Sequence, residues 1–416
     1  ASDVYKRQFY DYPRVQGLAE MMNSYGVIHN DAEVVSKIVA SQAHHKKIDG
    51  HAPGLQGKDL DTYVAAGVYS DHECATMEDA LAKLQRGQFI MIREGTAARN
   101  LEALAPLLTP QYAERCMFCT DDKHPSDLLE KGHIDYIARE AINKYGVDPI
   151  IAVKAACHHA SRYFLLNNRG AIAPGYLADF AVIDNFKDFN VEMVFKKGVL
   201  YWNNGELRDF EAPKIEEYLD KRAHDTFHVS TLTPDDFRDT RQRGVLGMVP
   251  GEIITTDNGY ADHVDLEKDI LKIAVVERHK GTHHIGLGYI QGYGLRSGAV
   301  ATSISHDSHN IIVVGTNSAD MAFAANYIVE HHGGIVVVEN GTVKGSVVLE
   351  IAGIMSDRPL TEVNDQLEAA KDAAFTLGVS RGIDPFMTLS FMALPVIPKL
   401  RITTRGVVDV DTQQYV

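Results

Sequence analysis

Four side chains able to hold a divalent metal recur in one kind of place in this sequence: Glu20, His51, His72 and Asp121. Each falls at the C-terminal end of a short apolar or mixed run and is followed by loop or helix-start residues. In a parallel β/α barrel such positions converge on one mouth. Two imidazoles and two carboxylates suit a first-row divalent ion such as Mn, Fe or Zn. A carboxylate can bridge two ions, and metal binding brings a water's pKa down towards ~7, so that a nucleophile exists at neutral pH. Asp121 could touch both an ion and that water, and we expect it to act as the proton shuttle. One loop histidine is usually a surface residue, and Asp121-Asp122 alone could be a turn or a helix cap. The repetition at successive strand ends carries the metal reading.

The elements that must position these residues are short. R-V-Q-G-L-A-E (14–20) reads as a strand ending in a carboxylate. Residues 31–41 form a helix with Val34, Val35, Ile38 and Val39 on one face. Lys47 to Asp49 is a strand before His51. Residues 57–66 are helical with Leu60, Tyr63 and Val64 inward, and 66–70 is a strand before His72. Thr76 caps a helix with an acidic first turn, carrying Ala80, Leu81 and Leu84 on one face. F-I-M-I (89–92) leads to Arg93-Glu94-Gly95, residues 97–108 are helical, and R-C-M-F-C (115–119) leads to Asp121. Five strands in βα alternation make the fold class α/β, roughly the second half of an eight-fold TIM-like barrel spanning 9–168. A doubly wound open sheet is the alternative, but no glycine-rich phosphate loop follows any strand.

Residues 134–164 read as one helical stretch. A Pro-Gly turn and an aliphatic strand follow in 169–184, then a hairpin over 191–201. These short strands do not belong to a barrel, and 169–205 is expected to be a small β-sandwich part. Residues 206–243 are polar and charge-rich and read as a linker. From 244 to 416 strands and helices mix in a separate α+β domain, with strands at 271–278, 310–315 and 335–338 and helices at 319–331 and 362–377.

The bulk numbers limit the function classes. A chain of 416 residues implies more than one domain. Its formal net charge of −15 disfavours nucleic acid and anionic membrane surfaces as partners. No apolar run approaches the roughly 20 residues of a membrane span. Four cysteines in this length are no disulfide scaffold, which fits a reducing, cytoplasmic setting. Cys116 and Cys119 form C-x-x-C, but i and i+3 on a strand point to opposite faces, so both read as core thiols. The adjacent pairs at 44–45, 158–159, 283–284 and 331–332 read as mostly solvated histidines.

Five motifs resemble the adenine deaminases of the amidohydrolase superfamily: G-L-A-E-M-M (17–22), D-G-H-A-P-G-L (49–55), D-H-E (71–73), M-I-R-E-G-T-A-A-R-N (91–100) and C-T-D-D (119–122). The resemblance runs from about Phe9 over the whole chain. It takes in I-A-P-G-Y-L-A-D (172–179), S-H-D-S-H-N (305–310) and A-L-P-V-I-P (393–398). It implies hydrolysis of adenine to hypoxanthine and ammonia by a metal-bound hydroxide in a binuclear centre of two divalent ions, Mn or Fe first and Zn next. Glu20 matches the bridging carboxylate after the fourth strand, where many relatives place a carbamylated lysine. That difference sets the chain apart from hydantoinase-like and dihydroorotase-like enzymes. His51 and His72 match ligands after the fifth and sixth strands, mainly to one ion, and Asp121 the ligand and acid/base after the eighth. Glu73 is a candidate N1 donor. Arg93 and Glu94 either orient the base or form an ion pair, and Asp122 is placed with the substrate contacts. His306, Asp307 and His309 either form a polar turn or reach the substrate or a further ion. A homodimer is expected.

One family feature is missing: the H-x-H pair of the first strand, which supplies two ligands, does not occur before Glu20. Residues 1–8 also match the translation of a common transposon-based sequencing adapter. We expect them to be an assembly artefact, with the true N-terminal part missing and the chain as it stands inactive. A natural reading frame with a start codon at this point in the source DNA would contradict that. The competing readings are another cyclic amidohydrolase and a catalytically silent metal-binding fragment.

Overall fold

A computed structural model describes residues 9–96, 98–211, 214–239, 241–249 and 253–416. The segment 1–8 lies outside the described residues. The chain forms two compact units, 1–211 and 212–416.

Five short parallel strands lead the first unit: β1 (Gly17–Met21), β2 (Lys47–Gly50), β3 (Ser70–Asp71), β4 (Phe89–Arg93) and β5 (Cys116–Cys119). They pair as β1–β2 and β3–β4–β5. The seam between the two groups is bridged by the Tyr69 amide, which donates to the Ile48 carbonyl at 2.9 Å. The expected βα alternation is therefore present, with helices between strands held by side-chain caps. Asp31 accepts from the amides of Glu33 and Val34 at the start of helix Ala32–Ala43, and Thr76 from that of Asp79 at the start of Met77–Gln85. Gly50 closes β2 against β3, where a Cβ would lie 2.3 Å from the Ser70 carbonyl oxygen, so only glycine fits there.

Several expected elements differ. The strand read at 66–70 pairs only over Ser70–Asp71. Val39 is exposed, while Val34 and Ile38 face the core. The helix read at 97–108 is one α-helical turn, Leu101–Leu104, continued as a 3-10 turn through Pro106, which has no amide proton to extend an α-helix. The stretch 134–164 is broken. Helix Ile134–Asn143 ends before Gly146, and a new one starts at Pro149 with Asp148 as its cap. His159 is buried rather than solvated, its Nδ1 2.9 Å from the Cys116 carbonyl. The unit closes with an antiparallel four-stranded sheet of β6 (Phe180–Ile183), β7 (Val191–Lys196), β8 (Val199–Asn203) and β9 (Glu206–Leu207).

The second unit is built on an eight-stranded sheet. Its strands are β10 (Arg243–Met248), β11 (Thr255–Ala261), β12 (Ile270–Val276), β13 (Ile285–Gln291), β14 (Ala299–Thr302), β15 (Ile311–Gly315), β16 (Gly334–Glu339) and β17 (Thr342–Val348), in the order β11-β10-β13-β12-β15-β14-β16-β17. Only β10 and β13 pair in parallel. Alternate residues of the central strands enter two cores. Ile273, Val275, Val300 and Val314 join one with Leu367, Ala370 and Leu389 of the helices Leu360–Thr376 and Pro385–Phe391. Ala274, Val276, Ala301 and Val313 join the other with Met321, Ala325 and Ile328 of helix Ser318–Glu330. Part of the stretch read as a linker belongs to this second core, because Leu232 and Phe237 are buried in it. No helix among the described residues is long and apolar enough to cross a membrane.

Candidate metal centre

The strand ends of the first unit bring the expected ligands together. Glu20 sits near the end of β1, His51 and His72 directly follow β2 and β3, and Asp121 lies two residues past β5. His72 Nε2 is 2.8 Å from Glu20 Oε2, and His51 Nδ1 is 3.4 Å from the same oxygen. Glu73 Oε1 is 3.6 Å from each of these two ring nitrogens. Asp121 Oδ2 reaches His72 Nε2 at 4.0 Å. Among the described residues, two sets have ligand atoms within 4.8 Å of one another: Glu20, His51 and His72, and His72, Glu73 and Asp121. His72 belongs to both.

Buried polar groups hold these residues in place. The Tyr63 hydroxyl, on the inner face of helix Gly57–Ala65, donates to the Met21 carbonyl at 2.6 Å and accepts from the His51 amide at 3.0 Å. It thereby links the ends of β1 and β2. Asp71 accepts from the amides of Ala52 at 2.9 Å and Glu73 at 2.6 Å, linking β2 to β3. Arg93, the last residue of β4, donates through Nη1 to Glu73 and to Asp121 Oδ2, the latter at 2.5 Å. Asp121 has φ +56°, a left-handed conformation that aspartate tolerates better than most residues.

The electrostatics follow from these contacts. Burial works to raise the Glu20 pKa, but the His51 and His72 contacts outweigh it and hold the carboxyl well below its usual range. Burial disfavours the His72 imidazolium, yet the Glu20 carboxylate beside it leaves the pKa raised. Arg93 is likewise raised by Glu73 and then Asp121, against its burial. Glu94 is raised by burial.

This donor set fits a divalent ion. His51 Nδ1 is buried without a hydrogen bond of its own, and it faces two carboxylates. Imidazole nitrogen and carboxylate oxygen are the donors such ions take.

The remaining expected site residues divide. Arg93 forms the ion pair and, through Nε, a 3.3 Å hydrogen bond to Asn100. Glu94 turns to the Leu101 amide at 3.4 Å. The Asp122 carbonyl accepts from the Thr96 amide. His306, Asp307 and His309 lie between β14 and β15 in the second unit. There His306 Nδ1 is 3.1 Å from Asp307 Oδ1, and its ring stacks on Phe391. The C-x-x-C thiols are free and separate, with burial pushing both up to about 12.

Sequence reasoning read Tyr63 only as an inward residue and gave neither Asp71 nor Lys83 a role at the site. Lys83 shares the buried face of its helix with Ala80, and a lysine in an apolar stripe was the signal available.

Two family profiles match the chain: "Amidohydrolase family" over residues 13–201 and "Adenine deaminase C-terminal domain" over 252–414. An adenine deaminase of Desulfatibacillum aliphaticivorans is 45% identical over 98% of this chain and 72% of its own length. One from Nitratidesulfovibrio vulgaris strain DP4 is 44% identical over 97% and 71%. A solved β-aspartyl dipeptidase from Fervidobacterium islandicum AW-1 superposes with a TM-score of 0.39 at 16% identity, covering 50% of this chain and 62% of that one, which is too loose a likeness to carry an argument. With both units matched and these relatives more than 40% identical over nearly all of it, the chain belongs to the adenine deaminase family of amidohydrolases.

Proposed function

We propose that the protein hydrolyses adenine to hypoxanthine and ammonia at a centre held by Glu20, His51, His72 and Asp121. One observation carries the reading: two imidazoles and three carboxylates from four strand ends form two ligand-distance sets that share His72, in a chain 45% identical to an adenine deaminase. Two divalent ions, manganese or iron before zinc, would supply a water acidic enough to attack near neutral pH. Glu20 lies against both imidazoles and would help them hold the ions. The water's oxygen adds to C6 of the purine, N1 gains a proton, and the C6–N6 bond breaks with the amine leaving as ammonia, while the proton left on the new C6 oxygen restores the N1 donor. Asp121 takes the water's proton and hands it to that amine. Glu73 is the carboxyl nearest both imidazoles and the candidate to protonate N1, exchanging its Arg93 contact for the purine. Arg93 keeps Asp121 aimed at the histidines.

The test is ammonia release from adenine by the full-length protein that supplies the H-x-H pair, with and without added Mn²⁺ or Fe²⁺, beside an Asp121→Asn variant. Metal-dependent release that falls at least about a hundredfold in the variant is expected. Near-normal turnover in the variant would remove Asp121 from the proton transfers. Metal binding without any release would favour the metal-binding scaffold over the enzyme.

A further inference from the structure

Lys83 is fully buried, and its charge lies directly behind the ligands. Its ammonium is 3.1 Å from Asp71 Oδ2 and 3.0 Å from Asp79 Oδ2, and it donates to the Ala52 carbonyl at 2.7 Å. Ala52 immediately follows His51, and Asp71 immediately precedes His72. The Asp71 carboxylate meanwhile accepts from the amides of Ala52 and Glu73, the residues after each imidazole. One cation and one carboxylate therefore grip the backbone on the C-terminal side of both histidines. Asp79, four residues earlier, holds the ammonium from its own helix.

We propose that Lys83 is a positioning residue for the metal centre, setting the separation of His51 and His72 through Asp71 and the Ala52 carbonyl. The inference rests on the metal-centre reading above. A buried ion pair is weak evidence for stability, since apolar residues of similar volume often do as well or better. The pattern of this helix would accept such a residue, because Ala80 and Leu84 share the stripe. What an apolar side chain could not do is bind a carbonyl after one imidazole and a carboxylate before the other. Outer contacts of this kind typically tune metal affinity by 10–100-fold. The rings so held have centroids 5.4 Å apart.

The experiment measures Mn²⁺ affinity of the whole chain by competition with a chelating dye, together with thermal stability. The variants are Lys83→Met, Asp79→Asn and Ile137→Ala, the last a buried residue of the same unit outside the clamp. Lys83→Met is expected to weaken Mn²⁺ binding at least tenfold, and Asp79→Asn several-fold, with Ile137→Ala near the unaltered affinity despite its lower stability. Unchanged affinity in Lys83→Met overturns the inference, as does an equal loss in Ile137→Ala. If Lys83→Met does not fold, Asp79→Asn decides by the same criteria. No binding by the unaltered chain would overturn the metal-centre reading and this inference with it. Normal binding that survives Lys83→Met overturns this inference alone.

Discussion

The Tyr63 hydroxyl donates to the Met21 carbonyl at 2.6 Å, one residue beyond Glu20. The same oxygen accepts from the His51 amide. One phenol thus sets the relation between a carboxylate on the first strand and an imidazole on the second. The ring itself is packed among Met21, Val27, Ile48 and Val68.

Tyr63→Phe keeps that packing and removes the hydroxyl, leaving a buried donor and a buried acceptor short of a partner. A loss of about 1–3 kcal/mol is expected from unmet buried groups. The only tryptophan of the chain, Trp202, lies in the same unit, so its fluorescence in a urea titration reports the change. An unmoved midpoint would mean the hydroxyl does not hold the strand ends.

His72→Ala removes the residue common to both ligand sets. Mn²⁺ binding by equilibrium dialysis should weaken by more than the roughly 10–100-fold typical of an outer contact. His284→Ala, at an exposed position of the second unit, should leave binding as it was. Equal losses in the two variants would argue against a site at the strand ends.

Arg93→Met takes the positive charge from Glu73 and Asp121. The site becomes more negative, so Mn²⁺ should bind at least several-fold more tightly, a modest change by the scale of charge pairs in partly buried sites. Ammonia release should fall at the same time, because Asp121 loses the contact that aims it. Weaker Mn²⁺ binding would show instead that the guanidinium is needed to hold the ligands.

Asp239 offers a pH test in the second unit. It accepts from Arg241 Nε at 2.9 Å and Arg243 Nη2 at 2.7 Å. Burial raises its pKa, but the two guanidiniums outweigh that and hold it below the ordinary 3.8. The unfolded chain therefore binds the proton more readily, and the stability Asp239 contributes is complete above that value and lost as pH falls through the folded one. The gap in melting temperature between the unaltered protein and Asp239→Asn should hold steady from about pH 7 to 5 and narrow progressively as pH falls below about pH 4. A gap that does not narrow at all below about pH 4 would contradict the pairing.

The strand ends were legible because each ligand follows a short apolar run, and Thr76 and Asp31 mark their helices by side-chain chemistry alone. Other features depended on partners far away in sequence. Lys83 stands in the apolar stripe of its helix, but its role shows only when Asp71, from a neighbouring strand, is placed beside it. The hydroxyl of Tyr63 matters only once Met21 and His51 are known to be neighbours. The break before Pro149 was written in Asp148-Pro149, but the apolar periodicity on both sides masked it. His159 is buried because its helix packs on β5, which no local pattern states.

The sheet of the second unit is covered on both faces, and apart from Lys272 and Thr302 its central strands β12, β14 and β15 carry apolar side chains up and down alike. Such a sheet has no spare face. A polar substitution on either side of β12, β14 or β15 strands a group in one core or the other, so these strands can drift only among apolar residues of similar volume. Room for new sequence lies at the rims, β11 and β17, and in the turns. Divergence within this unit should therefore collect along two edges while the middle stays chemically monotonous.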